Sequence, residues 1–290
     1  IENSGVRRIV QQSVNTIPAR ITDMKRWLLP VIFIVVAFLV CAGCTQNTPS
    51  TSANGSVSAP ADTTKKVYVV GIDGDYFPYS YIDKNGTPTG FDVESIQWIA
   101  KDQGFDVQIQ SMAWDGIIPA LQTKKIDMVY SGMTKTPERM EQVNFSKTYW
   151  VVNQAIAAKN SSTVTMDDFL AGKVTVGTQR GSSANTWLEN NLIKNGTLKS
   201  ANLTLYDNFP LALTDLSNGR TDVVMFDEPV VVHAIKDQPM KKIGIIATDE
   251  AYGVAVRKDD TALLATINTG LDHLMASDKW KELIQKYDMQ

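Results

Sequence analysis

The pattern of apolar and polar residues predicts alternating strands and helices over most of the chain. Short β-branched runs bounded by glycine or acidic residues are typical of buried strands, and "KVYVVGI" at residues 66–72 is the first of them. A helix is predicted at residues 92–104, where Val93, Ile96 and Ile99 share one face and Gly104 ends the periodicity. Further strands follow in the same alternation: "DVQIQSM", "IDMVY", "KVTVGT", "LTLY" and "DVVMF". Repeated β-α alternation predicts an α/β protein with mostly parallel strands.

Two longer, largely apolar runs at residues 151–158 and about 243–251 separate the pattern into two series. The chain therefore crosses twice between two lobes, and the first lobe is built from both ends of the folded body. The predicted boundaries are residues 66–150 with 252–290 for lobe 1, residues 154–246 for lobe 2, and about 151–153 and 247–251 for the hinges.

The amino end has the pattern of an export signal. Met24, Lys25 and Arg26 precede "WLLPVIFIVVAFLV", fourteen residues without a charge, and small residues follow. This apolar stretch is too short for a comfortable membrane span. We therefore predict a signal peptide at residues 24–43, with residues 1–23 lying upstream of the true start.

The two cysteines of the chain, Cys41 and Cys44, form "CAGC" directly after the apolar stretch. The segment resembles a lipobox, in which the chain is cut before Cys44 and that sulfur carries lipid, although Cys41 stands where leucine is usual. A redox or zinc site is disfavoured because no second pair of ligands accompanies it. Residues 44–65 have almost no large apolar side chains, so they are predicted to be a flexible tether.

The charge distribution excludes one class of partner. The chain has 28 Lys and Arg against 31 Asp and Glu, giving a net charge of −3. Five of the basic residues and two of the acidic ones lie in residues 1–43, so the remainder has a net charge of −6. An acidic body without a basic stripe argues against binding to nucleic acid.

Polar and aromatic side chains follow the ends of the predicted strands, which is where open α/β sheets bind ligands. If the two lobes face each other, these residues share one cleft that holds two aromatic rings, two carboxylates, several hydroxyls and an arginine. They are Asp73, Tyr76, Trp114, Ser131, Gly132, Thr134, Arg139, Ser182, Ser183 and Asp227.

This set of groups suits a zwitterion. The planar guanidinium of Arg139 matches a carboxylate, and the predicted helix start at Thr136, with proline next, adds unpaired N–H groups. Asp73 and Asp227 can accept hydrogen bonds from an ammonium, and the two aromatic rings can cover an aliphatic or cationic side chain. Each carboxylate could instead cap a turn or a helix. The hydroxyls of Ser131 and Thr134 could serve only turns, and those of Ser182 and Ser183 could serve only as a helix cap.

From about residue 66 onward the chain resembles the family 3 solute-binding proteins, the amino-acid receptors of ABC importers. The matching runs are "GIDGDYFPYSY", "GTPTGFDVESIQWIA", "WDGIIPALQTKKIDMVYSGMTKTPERMEQVNFSKTYW", "GKVTVGTQRGSS", "GRTDVVMFDEP" and "YGVAVRK". The resemblance implies the two-lobed fold of type II periplasmic binding proteins, with two mixed, mostly parallel sheets joined by a two-segment hinge. It also implies an ABC permease and ATPase subunits as partners.

The resemblance further implies a role for each matching position. Thr134 and Arg139 would bind the α-carboxylate of an amino acid, completed by Ser182 and Ser183, where the family often has two threonines. Ser131, Gly132 and Asp227 would hold the α-ammonium. Asp73 would meet the ligand's side chain or its amine, and Tyr76 and Trp114 would stack on opposite sides of the side chain. Phe226 is expected to line the pocket without a polar role.

These observations predict a monomeric receptor, anchored by lipid on Cys44 at the outer face of the cytoplasmic membrane. It would bind a free amino acid, with a polar or cationic side chain favoured by Asp73, and it would need no cofactor, metal or catalytic residue. Two alternatives remain open at this stage. One is a small-acid dehydratase on the same fold, and the other is the ligand-sensing component of a signalling system.

Overall fold

The computed structural model describes residues 65–289. The predicted upstream segment, the signal peptide and Cys44 lie outside these residues, as does the tether up to residue 64. Within the part described, no helix combines the length and the apolar character needed to cross a membrane.

The strands and helices alternate as the sequence predicts. The strands are β1 (Val67–Ile72), β2 (Asp75–Tyr76), β3 (Ser80–Ile82), β4 (Pro88–Thr89), β5 (Asp106–Ser111), β6 (Met128–Val129), β7 (Asn144–Phe145), β8 (Trp150–Lys159), β9 (Val176–Gln179), β10 (Leu203–Tyr206), β11 (Val223–Asp227), β12 (Met240–Tyr252) and β13 (Ala255–Val256). The helices are α1 (Phe91–Gln103), α2 (Ile117–Gln122), α3 (Pro137–Gln142), α4 (Met166–Leu170), α5 (Ser183–Leu188), α6 (Phe209–Ser217), α7 (Glu228–Ile235), α8 (Thr261–Ala276) and α9 (Asp278–Lys286).

One predicted helix is shorter than expected. The sequence predicts a single helix over about residues 183–192, but α5 ends at Leu188 and Glu189–Ile193 forms a π-helical turn. Asn190 and Asn191 lie in this turn, and asparagine is a weak helix former. The change of helical type therefore falls where the local preference for α-helix is low.

Two five-stranded sheets form the two lobes. The sheet of lobe 1 has the order β5-β1-β6-β13-β7, and the sheet of lobe 2 has the order β10-β9-β11-β8-β12. In each sheet three strands are parallel: β5, β1 and β6 in lobe 1, and β10, β9 and β11 in lobe 2. The two remaining strands of each sheet pair antiparallel, so both sheets are mixed.

The two segments that cross between the lobes are β8 and β12. They pair antiparallel along most of their length, and the register shifts between Ile246 and Glu250. The side chain of Asn153 on β8 accepts hydrogen bonds from the backbone N–H groups of Thr248 and Asp249, at 3.1 and 3.2 Å, and so holds this bulge in place. The exact lobe and hinge boundaries predicted from the sequence stay a prediction.

Apolar burial fixes the helices against the sheets. In α1 the predicted face is buried, with Val93, Ile96 and Ile99 fully inaccessible to solvent. Helix α8 approaches α1 closely at Gly270, where any Cβ would collide with the side chain of Ile99. A larger residue at Gly270 would therefore separate the two helices that complete lobe 1.

Candidate functional site

All ten residues predicted from the strand ends line one cavity between the lobes. The cavity has a volume of about 260 Å³, including its opening to solvent, and Gln179 and Phe226 complete its wall. Lobe 1 contributes Asp73, Tyr76, Trp114, Ser131, Gly132, Thr134 and Arg139, and lobe 2 contributes Ser182, Ser183 and Asp227. Their juxtaposition is a property of the fold, and their part in binding a ligand stays a prediction.

The cavity collects these residues because strands of both lobes end there. Strand β1 ends directly before Asp73, and β6 ends two residues before Ser131. In lobe 2, β9 ends at Gln179 and β11 ends at Asp227. The carboxyl ends of neighbouring parallel strands meet at one edge of a sheet, and here the two edges face each other.

Arg139 is buried in the cavity wall on lobe 1. The predicted helix start is found at Thr136, whose hydroxyl accepts a hydrogen bond from the backbone N–H of Arg139 at 3.2 Å. The guanidinium donates to the carbonyl oxygens of Thr134 and Gly181, both at 3.0 Å, and lies 5.3 Å from the centre of the Trp114 ring. Burial lowers the pKa of Arg139, and nearby carboxylates oppose this shift. Of its five N–H groups, three have no hydrogen-bond partner within residues 65–289 and remain for a ligand.

The two serines at the start of α5 differ in what their hydroxyls do. The hydroxyl of Ser182 accepts from the backbone N–H of Asn185 at 3.1 Å and donates to the carbonyl oxygen of Gln179 at 2.8 Å. It therefore caps its own helix, which is the alternative role considered for it above. The hydroxyl of Ser183 lies 3.5 Å from Asp227. Of the two hydroxyls, that of Ser183 is the better placed to face a ligand.

Asp227 is the centre of a buried polar network. Its carboxylate accepts hydrogen bonds from Tyr76 and Gln154, and the Tyr76 hydroxyl lies 2.6 Å from that of Tyr252. Burial first, and the charge of Glu250 second, raise the pKa of Asp227 to about 6. The residue stands at the N-cap of α7, but among the described residues its side chain makes no capping bond. The carboxylate thus serves the cavity rather than the helix.

Asp73 is held from both lobes. Its Oδ1 accepts from the backbone N–H of Asp75 at 2.9 Å, and its Oδ2 accepts from Nε2 of Gln179 across the cleft at 2.7 Å. Burial raises the pKa of Asp73, and these two hydrogen bonds oppose the shift. The hydroxyl of Ser131 accepts from the backbone N–H of Asp73 at 3.0 Å and lies 2.7 Å from the hydroxyl of Ser80. Ser131 therefore positions Asp73 through its side chain.

The N–H group of Gly132 is already hydrogen-bonded within lobe 1. Its N–H donates to the carboxylate of Asp92 at 2.6 Å and to the hydroxyl of Tyr149 at 3.2 Å. Its φ of 53° lies in the left-handed region, and a Cβ there would collide with the ring of Tyr76. Only glycine fits this close approach. Because its N–H group is engaged, the backbone group that Gly132 could offer a ligand is its carbonyl oxygen.

The two predicted aromatic walls are present, and each has a polar contact. Tyr76 packs edge-on against Phe226, with ring centres 5.8 Å apart, and its hydroxyl belongs to the Asp227 network. Trp114 donates from Nε1 to the carbonyl oxygen of Gly181 at 3.1 Å. Since Gly181 lies in lobe 2 and Trp114 in lobe 1, this bond joins the lobes across the cleft.

Four polar residues in or behind the wall were missed by the sequence reasoning: Gln154, Gln179, Glu250 and Tyr252. Gln179 ends β9, so its place at a strand end was a usable signal. The others lie on the crossing strands β8 and β12. The runs that contain these strands are largely apolar, so they gave no indication that the strands pass directly behind the cavity. In residues 65–289 there is no group of three or more acidic, histidine or cysteine side chains placed to hold a metal ion.

Comparison with known proteins gives a consistent result. The sequence model described as "Bacterial extracellular solute-binding proteins, family 3" matches residues 68–290. A probable histidine-binding protein of Neisseria gonorrhoeae is 29% identical over 270 residues, covering 91% of this chain and 96% of that protein. A putative ABC transporter arginine-binding protein of Escherichia coli K12 is 31% identical over 241 residues, covering 81% and 95% of the two chains.

A solved structure agrees in fold over the same region. An ancestral arginine-binding protein bound to arginine superposes with a TM-score of 0.71 at 35% identity, covering 77% of this chain and 99% of that one. The α/β fold of type II periplasmic binding proteins, expected from the sequence, is thereby confirmed.

Proposed function

The chain belongs to the bacterial extracellular solute-binding proteins of family 3, and from this premise we propose that it binds a free amino acid between its lobes and delivers it to an ABC importer. One observation carries the proposal. A buried arginine, with three N–H groups unpaired in the part of the chain that the structure describes, and a buried aspartate face the same small cavity. The two groups are complementary to the two charged ends of an amino acid.

The carboxylate end of the ligand is assigned to Arg139 and Ser183. The guanidinium can donate two parallel hydrogen bonds to a carboxylate, and hydrogen bonds to charged groups contribute about 1.5–3 kcal/mol each. The first turn of α5 adds backbone N–H groups without intrahelical partners. Thr134 supports this end by accepting from Arg139 through its carbonyl oxygen.

The ammonium end is assigned to Asp227 and the carbonyl oxygen of Gly132. In the ligand-free cavity, burial favours the protonated form of Asp227. A bound ammonium would favour the ionised form, because an opposite charge within hydrogen-bond distance lowers the pKa of a carboxyl group. The ammonium would thus compensate the burial of the carboxylate, and Asp227 would anchor the ammonium in return.

A polar or cationic side chain is favoured at the end of the cavity formed by Asp73. The lining contains two aspartates against one arginine, and Glu250 adds a third carboxylate behind Thr134. The α-ammonium and α-carboxylate of a bound amino acid cancel each other and leave this excess of negative charge unchanged, whereas a cationic side chain offsets part of it. Relatives named for arginine and histidine are in line with this preference.

We extend the proposal to location and partners. The family is extracellular, so the chain would act outside the cytoplasm, held to the membrane by lipid on Cys44. It would dock as a monomer on a membrane permease whose ATPase subunits lie in the cytoplasm. No reaction is assigned to it, because the buried carboxyls of Asp73 and Asp227 are both accounted for as partners of the ligand's positive groups.

Calorimetric titration of the full chain in detergent against the twenty amino acids tests the proposal. The protein is first unfolded and refolded to remove any ligand carried through purification. We expect one or a few amino acids to bind with a Kd of about 1 μM or lower, which corresponds to about 8 kcal/mol. They should be recovered chemically unchanged.

The Arg139→Ala variant should weaken this binding about a hundredfold or more, since two charge-assisted hydrogen bonds are lost. Arg220→Ala is the matched control, because Arg220 is 70% exposed and, among residues 65–289, pairs only with Asp215 on the surface of lobe 2. If the folded chain binds none of the twenty, the amino-acid receptor is refuted. Conversion of a small acid would then be tested as the alternative.

A further inference from the structure

Glu250 lies on β12 immediately after the bulge, at the point where the strand passes between the lobes. Its Oε2 accepts a hydrogen bond from the hydroxyl of Thr134 in lobe 1 at 2.8 Å. Its Oε1 accepts one from Nε2 of Gln154 in lobe 2 at 3.0 Å. The carboxylate is half-buried and holds both lobes by hydrogen bonds, directly behind the cavity wall.

Gln154 connects this carboxylate to the proposed ammonium site. The side chain of Gln154 is fully buried, and the same Nε2 atom that donates to Glu250 also donates to Asp227. Two carboxylates thus converge on one amide group. Like charges this close oppose each other, because the buried setting screens them less than water does.

The other groups that face Asp227 come from β2, β12 and α3 and from the turn between β2 and β3. Tyr76 donates to it from β2, Tyr252 on β12 contacts the Tyr76 hydroxyl, and the ring of Tyr79 packs on Tyr76. Arg139 on α3 supplies positive charge to both carboxylates. The tyrosines are held neutral, because burial raises their pKa well above the usual range. Glu250 therefore supplies the negative charge that opposes the ionisation of Asp227.

We propose that Glu250 is a positioning residue that sets the lower pH limit of ligand binding: its charge opposes the ionisation of Asp227, and their shared donor Gln154 fixes the two carboxylates close together. The ligand part of this statement rests on the proposed function, whereas the effect on Asp227 does not. Binding requires ionised Asp227, so a ligand-free chain that takes up a proton there loses its ammonium acceptor. Removing the charge of Glu250 keeps that acceptor ionised to lower pH.

The direct test measures the ionisation of Asp227 without ligand. The full chain, labelled with ¹³C at the aspartate carboxyl carbons and held in detergent, is titrated by NMR, and Asp227→Asn identifies the signal. We expect a midpoint of about 6 in the unchanged chain. In Glu250→Gln it should fall by about half a pH unit or more, the Coulomb effect of two carboxylates about 5 Å apart even in water.

Asp249→Asn provides the matched control. It removes the same charge one residue away on β12, where the side chain is exposed, and asparagine tolerates the local φ of 47°. Its Asp227 midpoint should stay at the unchanged value. If Glu250→Gln also leaves the midpoint unchanged, or if both variants lower it equally, the proposal is overturned whatever the chain binds.

The second readout is the pH dependence of the affinity. For a ligand that needs ionised Asp227, the Kd should rise about tenfold from pH 7.5 to pH 5 when the ligand-free midpoint is about 6. The increase in Glu250→Gln should be about fourfold or less. A purely structural role would instead weaken binding equally at both pH values and contradict the proposal. Absence of binding at every pH would refute the proposed function and leave the NMR result to decide the role of Glu250.

Discussion

Arg139→Lys separates the shape of the guanidinium from its charge. Arg139 donates one hydrogen bond to Thr134 O and one to Gly181 O, both at 3.0 Å, so the group is already fixed in the wall before a ligand arrives. Three of its five N–H groups then remain for a carboxylate. A lysine ammonium has three N–H groups in total and lacks the planar fork. It cannot keep both carbonyl contacts and also grip a carboxylate with two parallel bonds.

The size of the effect follows from this count. Lysine should lose one charge-assisted hydrogen bond to the ligand, about 1.5–3 kcal/mol, which raises the Kd about 10- to 150-fold. The retained charge should keep the loss below that of Arg139→Ala. Thr134 and Gly181 lie in different lobes, so the variant should also weaken the contact between the lobes without unfolding either sheet.

Calorimetry at neutral pH, with the amino acid identified by the screen, measures this change. Arg220→Lys makes the same substitution at an exposed arginine and should leave the Kd unchanged. Thermal unfolding of both variants checks that the fold is intact. A Kd for Arg139→Lys within about threefold of the unchanged chain would refute the assignment of the carboxylate to a guanidinium fork.

Three further changes test other parts of the site. Gly132→Ala should lower the free energy of unfolding in urea by about 2 kcal/mol or more, because the methyl group collides with Tyr76 at a left-handed φ of 53°. Gly86→Ala, at a φ of 80° with open space around it, should cost only about 1 kcal/mol. Burial raises the pKa of Asp92 to about 8, so the native chain holds a proton that the unfolded chain loses near pH 4. The unfolding free energy should therefore fall as the pH rises from about 4 to about 8, and Asp92→Asn should flatten this slope in urea titrations. Asp73→Asn should weaken a cationic amino acid about tenfold more than a neutral polar one in competition titrations, because the charge is lost while the shape is kept.

Each of these expectations has a contrary result. An equal loss of unfolding free energy in Gly132→Ala and Gly86→Ala would show that the structure relieves the steric contact with Tyr76 without losing stability. An unchanged pH slope in Asp92→Asn would assign the titration to another group. Equal losses of cationic and neutral ligands in Asp73→Asn would contradict the placement of the ligand's side chain beside Asp73.

The local features of the site were predictable because they depend on neighbouring residues. Thr136 followed by proline predicts a helix start, and the structure has the N-cap there. Asp73 and Asp227 follow apolar runs whose length and composition mark strands, so their positions at strand ends could be read directly. The ten residues then meet at one cavity because parallel strands bring their carboxyl ends to one edge.

What each hydroxyl or amide does could not be predicted in this way. The hydroxyl of Ser182 caps its own helix, and the hydroxyl of Ser131 accepts a hydrogen bond from the backbone N–H of Asp73. In both cases several hydrogen-bond partners lie within about 3 Å of the hydroxyl, and the direction of the side chain decides which of them it bonds. The spacing of residues along the sequence does not show that direction. The same holds for Gly132, whose N–H is already taken by Asp92 from α1.

The sequence by itself determined the alternation of strands and helices, the residues that end each strand, and the family to which the chain belongs. These follow from periodicity and from short motifs, which act over a few residues. Only the tertiary structure placed Glu250 beside Thr134, a residue 116 positions away along the chain, and beside Gln154. That meeting depends on the antiparallel register of β8 and β12 and on the bulge between Ile246 and Glu250. The register of these two strands depends on which of their faces are buried in the folded sheet and on the bulge, and the strands lie too far apart along the chain for a short motif to show it.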